Sequence, residues 1–262
     1  MSKTFCRFLH PDAGEASYGL IDGDAVYPVT AAQIFSSSPA PARSAKGLAL
    51  AEVKLLAPVA PSKIVCVGRN YKDHAAELGN PMPAEPLLFL KPPSAVAGHG
   101  DSIELPAVSA RVEHEGELGV VIGRRARRVG DGENPLDYVL GYTCVNDVTA
   151  RDLQRQDVQF TRAKSFDTFC PVGPHVVTGV DPFALQLETR VNGETRQHGR
   201  TAQMAFPVAY LIRYISHIMT LEPGDLISTG TPAGVGPLSD GDVCEVVVEQ
   251  VGTLSNTVRA SA

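Results

Sequence analysis

Three glutamates fall at every second position in "RVEHEGELGVVIG", Arg111 to Gly123. In an extended chain side chains alternate faces, so Glu113, Glu115 and Glu117 would share one face, with Cα atoms about 6.6 Å apart along it. Like charges stacked in this way repel one another unless something positive is expected between them. Two such carboxylates can converge on one cation at about 2.1 Å per oxygen, and an all-oxygen site suits Mg2+ or Mn2+ better than zinc. The same pattern also fits a charged edge strand that discourages aggregation.

Other stretches hold reactive residue types. Asp147, in "YTCVNDVTARDLQ", stands where an apolar strand ends and a helix can begin. It reads either as another cation ligand or as a helix N-cap. If the run from Tyr71 in "GRNYKDHAAELGN" is helical, His74 and Glu77 share a face. A carboxylate that accepts one imidazole N–H leaves the other nitrogen basic, as activation of a water requires; an exposed helix face is the competing reading. Lys164 is isolated among apolar and aromatic residues in "RAKSFDTFCPVGP", as a site lysine or a snorkelling one. "STGTPAGVGP" has the Gly and Thr density of a loop whose backbone N–H groups can approach a carboxylate, or of an ordinary turn.

These residues need elements to hold them. "KIVCVG", "PLLFLKP", "GELGVVIG" and "LDYVLGYTCVND" have the length and apolarity of strands, and "TARDLQRQ" that of a short helix. "LQLETRVNGETRQ" places Asn-Gly between alternating segments, a hairpin signal. "PVAYLIRYISHIMTL" has helical spacing, while "DLISTG" and "DVCEVVVEQVGTLSNTV" read as strands. Ahead of them, "EASYGLI", "DGD" and "AVYPV" form a hairpin signal followed by a short helical "TAAQIF". Ser36 to Gly47, rich in Ser, Ala and Pro, reads as a linker. The expected division is a small β-rich unit with its linker over 1–58 and a main domain over 59–262. Strands outnumber helices without regular βαβ alternation, so the expected class is mainly β (α+β) with antiparallel or mixed sheets.

Composition narrows the function. A chain of 262 residues with 44% hydrophobic and 20% charged residues is ordinary for a soluble globular protein. A formal net charge of -6 argues against nucleic-acid or anionic-membrane surfaces, and the short basic "GRRARRVG" reads as a solvated turn. Five scattered cysteines without a C-x-x-C pair suggest neither a disulfide framework nor a thiolate zinc site, and Cys144 and Cys170 read as core thiols. No signal core or membrane-length apolar run is present, so a reduced, cytoplasmic setting is expected.

"GRNYKDHAAELG", "PLLFLKPPSAV", "HEGELGVVIG", "GYTCVNDVTARDLQ", "AKSFDTFCPVGP", "VNGETRQ" and "LEPGDLISTGTPAGVGP", in this order, resemble the fumarylacetoacetate hydrolase superfamily. The resemblance covers the chain from Pro61 onward and implies a mixed β-roll catalytic domain, usually in a homodimer. The family's pattern falls on His114, Glu115, Glu117 and Asp147. It implies that Glu115, Glu117 and Asp147 bind one Mg2+ or Mn2+, with Ca2+ as a third candidate. Glu113 falls outside the pattern, so its charge is expected to turn to solvent or to a strand-end contact. His74 and Glu77 match the family's water-activating pair, in a segment that resembles its lid. Lys164 is expected to add positive charge near the reacting oxygen, Arg69 to clamp a carboxylate, and Gly230 and Thr231 to hold the distal end of the substrate.

By this resemblance the leading expectation is metal-dependent C–C bond cleavage in a small 2-oxo acid, as acylpyruvate hydrolysis or oxaloacetate decarboxylation. Two alternatives stand beside it. One is a 2-hydroxyhepta-2,4-diene-1,7-dioate isomerase or oxaloacetate tautomerase, and the other a non-catalytic protein that binds metal and 2-oxo acid. The short chain looks like the acylpyruvase-like members, not the longer true fumarylacetoacetate hydrolases.

Overall fold

The computed structural model describes residues 2–10, 14–35 and 46–261, so most of the linker-like Ser36–Gly47 stretch lies outside the described residues. Among the described residues the architecture is mainly β, with one large mixed sheet and two smaller ones. The order in the large sheet runs from the N-terminal hairpin (Ala16–Asp22, Ala25–Val29) through Thr4–Leu9, Cys170–Val177, Val139–Asn146, Gly116–Ile122, Leu226–Ser228 and Ile64–Gly68 to Leu87–Lys91. The N-terminal strands therefore extend the sheet that carries the metal-ligand candidates: Thr4 pairs with Val177 and Phe5 with Val176.

Period-two alternation explains the near-continuous apolar runs of the central strands. Val65, Val67, Leu118, Val120 and Ile122 pack on one side with Leu211, Ile212 and Ile215 of the helix Val208–Ile218. Ile64, Cys66, Val121, Val145, Cys170 and Val172 pack on the other. A strand covered on both faces has no polar side to show, which is why "GELGVVI" lacks the usual alternation.

A five-stranded sheet holds the hairpin Gln186–Val191 and Glu194–Arg200, turned at Asn192-Gly193, beside Val243–Val248, Gly252–Ala260 and Ser102–Leu105. A three-stranded sheet joins Thr149–Ala150, Val112–His114 and Gly236–Pro237.

This small sheet brings Glu115 and Asp147 together. Two neighbouring strands leave the large sheet at the same level and re-pair in the small one: Gly116 faces Asn146 before the crossing, and Glu113 faces Thr149 after it. Glu115 and Asp147 occupy the crossing itself, where the Asp147 N–H donates to the Glu115 carbonyl at 2.8 Å. At such a corner the side chains are released from both pleats and can converge.

All five cysteines are free and buried. Burial pushes the Cys144 and Cys170 thiols up to about 12, which suits inert core groups. Among the described residues no helix is long and apolar enough to cross a membrane.

Candidate metal centre

Glu115, Glu117 and Asp147 are all buried and offer one carboxylate oxygen each within 4.8 Å of one another. A triad of hard oxygen donors removed from water fits a divalent cation such as Mg2+ or Mn2+, since buried carboxylates need compensating charge. Asp147 is not a helix cap: the following helix Arg151–Gln156 starts from Ala150 and has no side-chain cap.

Three buried cations share the site with the carboxylates. Lys164 Nζ donates to Glu115 Oε2 at 2.9 Å and to Asp147 Oδ2 at 2.5 Å. Lys91 Nζ bonds Asp147 Oδ1 and, at 3.1 Å, the Val148 carbonyl. Arg151 donates through Nε to Glu113 Oε2 at 2.6 Å and through Nη2 to Glu115 Oε1, while Nη1 reaches Gln154 Oε1 at 2.6 Å. Lys91 and Arg151 carried no signal in the sequence reading, although a lysine inside the apolar "PLLFLKP" is the same kind of oddity that marked Lys164.

Of the two expectations for Glu113, solvent or a strand-end contact, the structure gives the contact, with Arg111 just ahead of the strand Val112–His114 and with Arg151. The Glu113 side chain does not turn to solvent; the residue is 2% exposed and lies between Arg111 Nε at 2.5 Å and Arg151 Nε. The strand breaks at Glu115, so the three glutamates do not form one continuous same-face row. Glu113 and Glu115 turn toward Arg151, and Glu117 accepts from the Ser228 hydroxyl and from the Gly230 N–H at 2.7 Å.

The environments push these carboxylates apart. Burial alone would raise Glu115, but the charges of Lys164 and Arg151 outweigh it and hold the group well below the ordinary carboxylate range. Burial followed by the charge of Asp147 pushes Glu117 up to about 8, only partly opposed by Ser228 and Gly230. Burial would lower Lys164, yet Asp147 and Glu115 hold it above its ordinary value, so its charge persists.

One cavity of about 360 Å³ gathers Arg69, His74, Glu77, Lys164 and Thr231 with the three carboxylates, and Arg151 with them. His74 and Glu77 lie on the helix Lys72–Glu77, with Nδ1 3.5 Å from Glu77 Oε2. The imidazole is buried and Nδ1 has no hydrogen-bond partner, while both oxygens of Glu77 accept from the Gly234 N–H at 3.1 Å.

The remaining expected contacts are engaged within the protein. The Gly230 N–H serves Glu117, and the Thr231 hydroxyl donates to the Gly116 carbonyl at 2.7 Å. Gly230 sits at φ +99° against Asn70, where a Cβ would come within 2.7 Å of the Asn70 Cβ, so only glycine brings that N–H to the carboxylate.

The family model described as Fumarylacetoacetate (FAA) hydrolase C-terminal matches residues 63–259. The chain belongs to the fumarylacetoacetate hydrolase family. A second model, Rv2993c-like, N-terminal, matches residues 4–58. The chain is 47% identical to the oxaloacetate tautomerase YisK of Bacillus subtilis, over 80% of this chain and 74% of that protein. It superposes on 2-hydroxyhepta-2,4-diene-1,7-dioate isomerase from Mycobacterium marinum with TM-score 0.87 and 43% identity, covering 99% of both chains. It also superposes on maleylpyruvate hydrolase from Sphingobium sp. SYK-6, solved with manganese(II) and pyruvate, with TM-score 0.80 and 33% identity, covering 99% of this chain and 100% of that one. As a member of the fumarylacetoacetate hydrolase family, the chain is placed among enzymes.

Proposed function

We propose that this protein is a divalent-metal-dependent enzyme that moves a proton at C3 of a small 2-oxo dicarboxylic acid, with keto–enol tautomerisation of oxaloacetate as its leading reaction. One observation carries this reading: a single cavity holds the Glu115, Glu117 and Asp147 carboxylates, the His74–Glu77 pair and the charged Lys164. Similarity to a named oxaloacetate tautomerase supports tautomerisation ahead of cleavage.

Mg2+ or Mn2+ held by Glu115, Glu117 and Asp147 would supply Lewis-acid stabilisation where negative charge develops on the 2-oxo oxygen. In the ketonising direction the enol O–H proton leaves the 2-oxygen and His74 delivers a proton to C3; in the reverse direction His74 takes the C3 proton as the C–H electron pair moves toward that oxygen, which then gains a proton to give the enol. Glu77, with Oε2 3.5 Å from Nδ1, orients the ring. Lys164 adds a fixed positive charge, and Arg69 offers a planar guanidinium to a carboxylate. Closure over the ligand would exclude bulk water from this exchange.

C–C cleavage is the second reading, and the same pair favours it. A water deprotonated by His74 can add to a 4-carbonyl carbon; the C3–C4 electron pair then stays with C3, which takes up the proton held by His74, leaving a carboxylic acid and pyruvate.

A panel of enol-oxaloacetate, acetylpyruvate, fumarylpyruvate and 2-hydroxyhepta-2,4-dienedioate with Mg2+ distinguishes the two by product analysis. The expected result is accelerated ketonisation of enol-oxaloacetate with all four carbons retained. Faster release of pyruvate from an acylpyruvate would put cleavage first.

A further inference from the structure

Gln197, in the strand Glu194–Arg200, is 0% exposed and does not line the cavity. Its Oε1 accepts from the Gly116 N–H at 3.0 Å, and its Nε2 donates to the Pro232 carbonyl at 2.7 Å. These two backbone groups have fixed roles, so they settle which way round the amide lies. Nε2 also donates to Thr231 Oγ1 at 2.7 Å, and Oε1 accepts from His114 Nδ1 at 3.1 Å. All four hydrogen-bonding capacities of the amide are used.

What those partners are gives the arrangement its meaning. Gly116 is the residue between Glu115 and Glu117. Thr231 and Pro232 open the loop whose Gly234 N–H meets both oxygens of Glu77. That loop is seated on the Gln197 strand: a Cβ at Gly234 would come within 2.2 Å of the Arg196 carbonyl oxygen, and one at Gly199 within 2.7 Å of Pro232 Cβ. The Thr231 hydroxyl, donating to the Gly116 carbonyl, closes the circuit.

We propose that Gln197 is a positioning residue that sets the separation between the carboxylate cluster and the Glu77–His74 pair. It acts from outside the cavity, through Gly116 on one side and the Thr231–Gly234 loop on the other. The inference rests on the reading of Glu77 and His74 as the proton-transfer pair. A proton moves efficiently only when base and carbon are held in register, and a displacement of about 1 Å can cost about 100-fold in rate.

The test is a double-variant cycle. Gln197→Met keeps the length of the side chain and removes all four hydrogen bonds; it is combined with Glu77→Gln. Ketonisation of enol-oxaloacetate gives kcat and KM at saturating Mg2+, and calorimetry gives Mg2+ affinity. The expected kcat of Gln197→Met is lower by about 100-fold, with KM and Mg2+ affinity within about threefold of the parent. The double variant should be no slower than the slower single variant, because both changes remove the same placement. Losses that multiply, Mg2+ affinity that falls in step with kcat, or an unchanged kcat would overturn the inference. If Gln197→Met does not fold, Thr231→Val cuts the same link from the loop side, and the same comparison with Glu77→Gln decides. An unaltered rate in Glu77→Gln alone would overturn the reading of the pair and the inference with it. A slowed Glu77→Gln with multiplying losses would overturn the inference only.

Discussion

Glu113 and Glu115 share one guanidinium: Arg151 donates through Nε to the first and through Nη2 to the second. The glutamate outside the family pattern therefore holds an arginine that the metal-ligand candidate also uses. Arg151 is 2% exposed, so each bond it makes replaces hydration it has lost.

Glu113→Ala would leave that arginine short of a partner inside the protein. Breaking one side of a buried pair costs about 3 kcal/mol, which urea unfolding should register as a lower midpoint with an unchanged slope. Arg151 would then press harder on Glu115, and Mg2+ affinity should fall by about tenfold, as for lost outer-sphere partners of metal ligands. Calorimetric affinity equal to the parent's would contradict this role.

Lys164→Met separates metal binding from catalysis. The lysine lies within hydrogen-bond distance of Glu115 and Asp147, so its removal leaves the carboxylates with less competition for a cation. Mg2+ should bind at least as tightly as to the parent, while kcat should fall by about 100-fold through loss of a preorganised charge. Parallel loss of both would make Lys164 a scaffold residue only.

Glu117 links the site to pH. With its carboxyl raised to about 8, a cation must displace a proton there, so Mg2+ affinity should rise by about tenfold per pH unit up to about 8 and then level off. In the metal-free protein the sign for stability is opposite. The folded state binds this proton more tightly than the unfolded chain, so the contribution of Glu117 is complete below an unfolded carboxyl value of about 4.3 and is lost as pH rises through about 8. Calorimetry in buffers of different ionisation heat would detect the released proton; Mg2+ affinity flat from pH 6 to 8 would contradict the assignment.

Much of this was legible in the sequence. Apolar runs and Gly, Pro and Asn-Gly punctuation marked the strands and the main helix, because local propensity and burial agree there. Periodicity grouped Glu113, Glu115 and Glu117 but could not show the strand break at Glu115, which arises from long-range re-pairing with the Asp147 segment. The partners of Glu113 were hidden for the same reason: Arg151 lies far along the chain and joins it only through that small sheet. Lys91 was legible in principle as a cation in an apolar strand. Gln197 was not, since a glutamine at the end of "VNGETRQ" acquires its four partners only when strand, loop and the carboxylate-bearing backbone meet around it.

The most direct test of the central claim is the rate of enol-oxaloacetate ketonisation, followed by the loss of enol absorbance, in the parent and in Glu115→Gln with and without Mg2+. The parent should accelerate the reaction with Mg2+ and lose that acceleration to a chelator, and Glu115→Gln should stay near the uncatalysed rate at every Mg2+ concentration. Catalysis that survives the chelator, or an undiminished rate in Glu115→Gln, would contradict a metal centre built on Glu115, Glu117 and Asp147.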